Sequence, residues 1–258
     1  MANDQDPATH HSPYATMFEH FRHELDEHHD RRERIIKASR DVTAASKKII
    51  FTLQRVRQLG VPLIENVHKS NKQYYDTIKD RLSSISPDVQ GLNFYRYARQ
   101  FSPGCQEYME AALFEHYLAT GHLLSFEEAA QGVQQHSRSR EDQAVSIALT
   151  HEDYLLGLFD MTGELMRFAI TTMATTGTLP SVESEVDRNV LNDLRNLRSE
   201  LETLEPGYGP FANDVNKKMD VMKQSVEKVE KSLYGLTVRG AERPRGWMPD
   251  TQTVEVEV

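Results

Sequence analysis

A chain of 258 residues, 38% hydrophobic and 27% charged, holds enough apolar material for a packed core. Its single cysteine, Cys105, excludes an intramolecular disulfide and any zinc site built from several thiolates. With 30 Lys and Arg against 39 Asp and Glu the net charge is −9, so a nucleic-acid contact has to come from a local patch or from a more basic partner. The opening MANDQDPATHHSPYAT lacks an apolar signal-peptide region, and no apolar stretch approaches the ~20 residues that span a bilayer. A soluble intracellular protein with no membrane partner is the expectation.

Gly (13) and Pro (10) are few and sit where long periodic segments stop, which predicts an all-α chain. The first helix is expected after Ser12-Pro13, running to Leu59 and stopped by Gly60-Val61-Pro62. Ile35, Val42, Ile49 and Val56 hold one heptad position and Ala38, Ala45, Thr52 and Leu59 the next. Upstream, Tyr14, Met17 and Phe21 share the seam, and Glu24, His28 and Arg31 then interrupt it. A second helix, about Leu63 to Ile85, ends at Ser86-Pro87-Asp88. A third runs from Val89 to Thr120, with Ser102-Pro103-Gly104 expected to kink or split it, and Gly121 closes it.

A short helix from Phe126 to Gly132 leads into a polar stretch, Gln134 to Gln143, that reads as a surface loop. The next helix, about Val145 to Thr176, contains DYLLGLFDMTGELMRFAI, apolar enough to be central. After Gly177 and Pro180, Val182, Val186, Val190, Leu194, Leu197, Leu201 and Leu204 recur at helical spacing. Pro206 to Pro210 breaks that pattern. The last helix carries Val215, Met219, Met222, Val226, Val229, Leu233 and Leu236. The whole predicts a single-domain bundle of about seven helices over residues 14–240, flanked by disordered residues 1–13 and a flexible tail, 241–258.

Two acidic pairs stand out. Glu107 and Glu110 are three residues apart and Asp160 and Glu164 four, so each pair shares one helical face. Converging faces would offer four hard oxygen ligands for Mg2+ or Mn2+, suited to phosphodiester hydrolysis. The alternative is an exposed stripe, with Arg167 pairing Glu164. Asp160 and Glu164 have mainly apolar neighbours and Glu110 lies in MEAAL, where a solvated face is less comfortable.

His20, His23, His28 and His29 lie among Glu, Arg and Asp and read as a solvated helix. Cys105 has no base at dyad spacing, and the chain contains no phosphate-binding glycine loop of the P-loop or dinucleotide type. For RNA, Tyr95, Arg96, Tyr97 and Arg99 combine stacking rings with guanidinium groups, and Lys47, Lys48, Arg55 and Arg57 form a second basic group. Either set could equally be an ordinary solvated face.

Three segments carry a resemblance: SRDVTAASKKIIFTLQR at 39–55, DYLLGLFDMTGELMR at 153–167 and YGLTVRG at 234–240. They resemble the translin family, in its translin-associated factor X branch, over roughly residues 16–243. The resemblance implies a translin-like seven-helix protomer that assembles with translin into a barrel-like hetero-octamer enclosing single-stranded or small RNA. It also implies the catalytic subunit of a Mg2+-dependent endoribonuclease acting in RNA silencing and on pre-tRNA fragments. Separately, a cytoplasmic location is expected, with a nuclear one also open because the basic residues from Arg31 to Lys48 make a weak nuclear signal. The family's catalytic and metal-binding acids would be Glu107, Glu110, Asp160 and Glu164. Glu110 and Asp160 would bind the ion directly, with Arg96 and Arg99 near the scissile bond. A helical scaffold that stabilises translin without catalysis is the alternative from another class.

Overall fold

The structure, a computed structural model, describes residues 12–139, 142, 144–182 and 188–239. Among these the elements are α1 (Ala15–Leu53), α2 (Glu65–Ile85), a 3-10 turn (Ser86–Val89), α3 (Leu92–Arg96), α4 (Ala98–Thr120), α5 (Phe126–Ser137), α6 (His151–Thr176), α7 (Val190–Glu202) and α8 (Pro210–Arg239). The only extended pairing among the described residues is an isolated bridge between Ser181 and Asn189. No described helix is long and apolar enough to cross a membrane. The expected disorder of residues 1–11 and of the tail 241–258 lies outside the described residues, as does Val186.

The apolar periodicity has a direct structural outcome. Ile35, Val42 and Ile49, with Ala38 and Ala45 beside them, are buried on one face of α1. Against that face lie α2 and α4; α6 packs on the far side of α4, and α8 covers α6. Met109, Leu113 and Phe114 of α4 and Met161 and Leu165 of α6 are almost completely buried, so these two helices run through the middle of the bundle. The 39-residue α1 is about 58 Å long, and its first buried residue is Ile35. Tyr14, Met17 and Phe21, expected on the seam, are exposed in the single chain, as are Phe18 and Leu25.

Several boundaries differ from the sequence expectation. The first helix ends at Leu53, not Leu59, because Arg57 turns its Nη1 back to donate to the carbonyls of Gln54 (2.6 Å) and Val56 (2.7 Å). Those carbonyls then have a partner without further helix. Leu59 is still buried, held by the Gly60 N–H donating to the Leu118 carbonyl at 2.9 Å. The second helix starts at Glu65. Residues 145–150 lie outside any helix, and α6 begins where the Thr150 hydroxyl accepts from the Asp153 N–H at 3.0 Å. Val182 precedes α7 in the bridge region, so the helix expected from Val182 starts at Val190, capped by Asn189. The helix from Phe126 extends past Gly132 to Ser137, which takes the start of the expected polar loop into regular structure.

The expected break at Pro103 is displaced. The chain turns at Tyr97, between α3 and α4, and α4 runs unbroken through Pro103. A proline inside a helix costs about 3 kcal/mol through its missing N–H and its ring. Burial of Phe101, Cys105 and Tyr108 on either side offsets it. At Gly104 the backbone N–H donates to Ser39 Oγ at 3.1 Å, and a Cβ would stand 2.9 Å from the Ser39 carbonyl oxygen. Only glycine permits α1 and α4 to approach so closely there. Glu107 and Glu110 therefore follow on an uninterrupted helix.

Candidate active site

The four acids expected from sequence lie on the two central helices: Glu107 and Glu110 on α4, Asp160 and Glu164 on α6. What brings the helices together at this level is Gly157, one turn before Asp160. A Cβ there would stand 2.6 Å from Met109 Cβ, 2.9 Å from the Gln106 carbonyl oxygen and 3.2 Å from the Glu110 nitrogen. Real side chains do not tolerate the first two distances, so the backbone of α6 rests against α4 at residues 106–110. One turn earlier, Ser102 donates to Asp153, and Gln106 Nε2 donates to Asp153 Oδ1 at 3.1 Å. Asp153 is in the first turn of α6, where the helix dipole favours an anion, and this polar clasp fixes the register between the helices.

The environment of each acid follows from that packing. Glu110 is largely buried, has no hydrogen-bond partner among the described residues and faces the charges of Glu107, Asp160 and Glu164. Burial first, and then these neighbours, push its carboxyl from 4.5 up to about 8. Glu107 is also raised, by burial and by Asp160, with Lys47 pulling the other way; Lys47 Nζ stands 3.7 Å from its Oε2. Glu164 is 9% exposed, accepts from Gln54 Nε2 at 2.8 Å and pairs with Arg167 at 3.7 Å. Lys218 of α8 reaches both carboxylate oxygens of Asp160.

The donor set suits a hard divalent cation: four carboxylates, one of them half-buried and without a hydrogen-bond partner among the described residues. The positions of the acids are another matter. Among the described residues no three acidic, histidine or cysteine side chains stand together closely enough to hold one ion. Lys218 and Lys47 supply the positive charge instead, so an ion entering here competes with the Lys218 ammonium for Asp160. The Arg167–Glu164 contact foreseen as the exposed-stripe alternative is present too, but Glu164 itself is nearly buried, unlike a residue of a solvated stripe.

The other sequence candidates separate. Tyr95 is 78% exposed, and Arg96 and Arg99 are also at the surface. Tyr97 is not a stacking surface: it is 4% exposed, with its hydroxyl 2.6 Å from His28 Nδ1. Its position at the α3–α4 turn places the ring in the core. Arg96 Nη1 lies 2.6 Å from His28 Nε2. The consistent tautomer has Nε2 accepting from Arg96 and Nδ1–H donating to Tyr97.

Of the second basic group, Lys48 lies over the Tyr74 ring and Arg55 over the Phe51 ring. Arg57 caps the end of α1, so the four make no common surface. His20 pairs with Glu24 and His23 with Glu27 on exposed helix, in keeping with the solvated reading. Cys105 is buried, and burial pushes its thiol up, which leaves it inert. Gln54, Lys218 and Gly157 were not anticipated as parts of the site. Gln54 is 110 residues from Glu164 and Lys218 is 58 from Asp160, separations at which no local pattern reports a contact.

Comparison with known proteins agrees with this architecture. The Translin family model matches residues 30–240. Translin-associated protein X of Mus musculus is 32% identical over 96% of this chain and 86% of that protein. The Translin-associated protein X homolog of Schizosaccharomyces pombe is 31% identical over 86% of this chain and 88% of its own length. Translin of Homo sapiens is 24% identical over 80% of the chain and 89% of that protein. Among solved structures, apo-NeC3PO superposes with a TM-score of 0.62 at 17% identity, covering 91% of this chain and all of that one. AfC3PO, solved as a complex with duplex RNA, superposes with a TM-score of 0.55 at 17% identity, over 88% of this chain and all of its own. The two structures share the fold. The chain belongs to the translin family, in the branch of translin-associated protein X.

Proposed function

We propose that this chain is the catalytic subunit of a Mg2+-dependent endoribonuclease formed with translin, cutting single-stranded or small RNA. The observation that carries the reading is Glu110: a largely buried carboxyl with no hydrogen-bond partner among the described residues and three further carboxylates about it. A purely structural core has no use for such a concentration of like charge, because each added anion disfavours the others. A site for a cation does. Bound there, Mg2+ or Mn2+ would activate water and neutralise charge developing on the phosphate.

Glu110 and Asp160 would hold the ion, with Glu107 and Glu164 beside them. Gln54 and Arg167 keep Glu164 oriented. Lys218, which reaches Asp160, would be freed by the ion to meet a phosphate oxygen. Arg96 and Arg99 offer guanidinium groups at the surface, and a fold neighbour solved with duplex RNA supports an RNA substrate.

A second reading, a non-catalytic scaffold for translin, draws on the lysines. Lys218 and Lys47 already balance two of the acids without any metal.

The deciding experiment is cleavage of a short single-stranded RNA by the full chain co-expressed with translin, in Mg2+ and in EDTA, for wild type and Asp160→Ala. Cleavage that needs both the metal and Asp160, with RNA binding kept, is the expected result. RNA bound but left intact by both proteins would select the scaffold.

A further inference from the structure

The last helix carries its buried face on Val215, Met222, Val226 and Val229, with Met219 partly buried beside them. Lys218 stands three residues after Val215 and four before Met222, on the packed side, where the repeat calls for an apolar residue. Its neighbour Lys217 is exposed, whereas the Lys218 side chain is only 25% exposed. A lysine stem can cover apolar surface while its head stays among polar groups. Here the head meets Asp160 of α6 and donates to both carboxylate oxygens.

The ammonium acts on more than that partner. It also draws the carboxyl pKa values of Glu107 and Glu110 downward, against the burial that raises both. Lys47, the other cation at the cluster, reaches Glu107 from α1 on a side chain that is 65% exposed. One charge from α8 thus bears on three carboxylates of α4 and α6, as a divalent ion among them would. Asp160 gives both its oxygens to α8, while Glu110 has no hydrogen-bond partner among the described residues.

We propose that Lys218 is the chain's own stand-in for the divalent ion: it holds Asp160 toward α8 until an ion takes that carboxylate, and so sets the concentration at which the acids load. The proposal rests on the nuclease reading for the existence of a metal site and adds the residue that the ion has to displace. With Asp160 turned to Lys218, no three acidic, histidine or cysteine side chains among the described residues stand close enough to hold an ion. Loading then exchanges one cation for another: Asp160 turns from Lys218 toward Glu110, and α4, α6 and α8 keep their places. A lysine that only anchors α8, with Asp160 outside the metal shell, would leave metal affinity untouched. Lys218 is therefore a positioning residue for Asp160.

The test is Mn2+ binding to the complex of the full chain with translin, read from the paramagnetic resonance of the free ion. The site in question is the one lost in Asp160→Ala. Lys218→Met keeps the apolar stem and removes the charge, and should tighten that site about fivefold, the worth of one partly exposed ion pair that no longer competes. Lys218→Arg keeps the charge and should bind no tighter than wild type. Lys217→Met should leave the affinity unchanged. Melting provides an independent readout. In EDTA, Lys218→Met should melt below wild type, because Asp160 is left among like charges, and saturating Mn2+ should narrow the gap by binding the folded variant more tightly.

Unchanged or weaker Mn2+ binding by a Lys218→Met protein that assembles with translin at wild-type mass would overturn the proposal and leave the metal site standing. A melting gap that Mn2+ does not narrow would do the same. Should Lys218→Met fail to assemble, Lys218→Gln decides by the same two measurements. If no protein of the series shows Mn2+ binding that depends on Asp160, the nuclease reading itself fails, and this proposal with it.

Discussion

Replacing Glu110 by glutamine is expected to make the protein more stable and to abolish RNA cleavage. In the native chain the Glu110 carboxyl is shifted from 4.5 up to about 8 by burial and by three neighbouring acids. Below pH 4.5 it is protonated in both the folded and the unfolded chain and costs nothing extra. As the pH rises the unfolded chain releases this proton first, so folded protein becomes progressively less favourable until the pH passes about 8. At pH 7 the penalty is about 3 kcal/mol.

Glutamine keeps the shape and removes the charge. In EDTA at pH 7 the Glu110→Gln midpoint should lie about 6–12 °C above wild type, a difference that vanishes toward pH 4. Added Mg2+ should raise the wild-type midpoint by preferential binding to the folded state and leave the variant unmoved. Thermal melts of the complex at pH 4.5, 7 and 8, with and without Mg2+, are the measurement. Equal midpoints for the two proteins at pH 8 in EDTA would show that Glu110 is not the strained anion described here.

The opposite outcome is expected at Gly157. A valine Cβ at this position would meet Met109 Cβ at 2.6 Å and the Gln106 carbonyl at 2.9 Å, and the second of these is backbone, which cannot swing away. The helices must separate. Overpacking of this kind costs typically 1–3 kcal/mol, and a clash with backbone places Gly157→Val at about 3 kcal/mol or more. A fall in midpoint of about 6–12 °C follows for a chain of this size.

Because Glu110 N is itself 3.2 Å from the missing Cβ, separation also moves the α4 acids away from Asp160 and Glu164. Cleavage should fall further than stability alone accounts for, even well below the new midpoint. Gly163→Ala, on the same helix with open space around its Cβ, is the comparison and should behave as wild type. A Gly157→Val protein that melts and cleaves like Gly163→Ala would refute the account of how the site is assembled.

These two positions illustrate how much of the molecule is legible in one dimension. The seam of Ile35, Val42 and Ile49 declared the buried face of α1, because a helix that loses solvent along one side must repeat its apolar residues at that period. The two acidic pairs were legible as candidates, from spacing and apolar context together and from the resemblance to the translin family. Glu110 within MEAAL and Glu164 within MTGELMR are charges in surroundings where water is scarce. Local rules failed where tertiary packing outweighed them. Pro103 did not break α4, since burial of Phe101 and Cys105 and the close approach of Gly104 to α1 outweigh the absent N–H. Tyr97, grouped with its exposed neighbours by composition, went into the core because the chain turns there.

By itself the sequence determined the all-α class, the helical faces and the placing of each acidic pair on one face, since each depends on residues three or four apart on one helix. Tertiary structure alone decided which carboxylate has no hydrogen-bond partner among the described residues and which keeps one. That depends on the approach of α6 to α4 at Gly157, on Gln54 at the end of α1 and on Lys218 of α8, all of them meetings across the bundle. Electrostatic free energy is set by distance and burial in space, which separation along the chain does not encode.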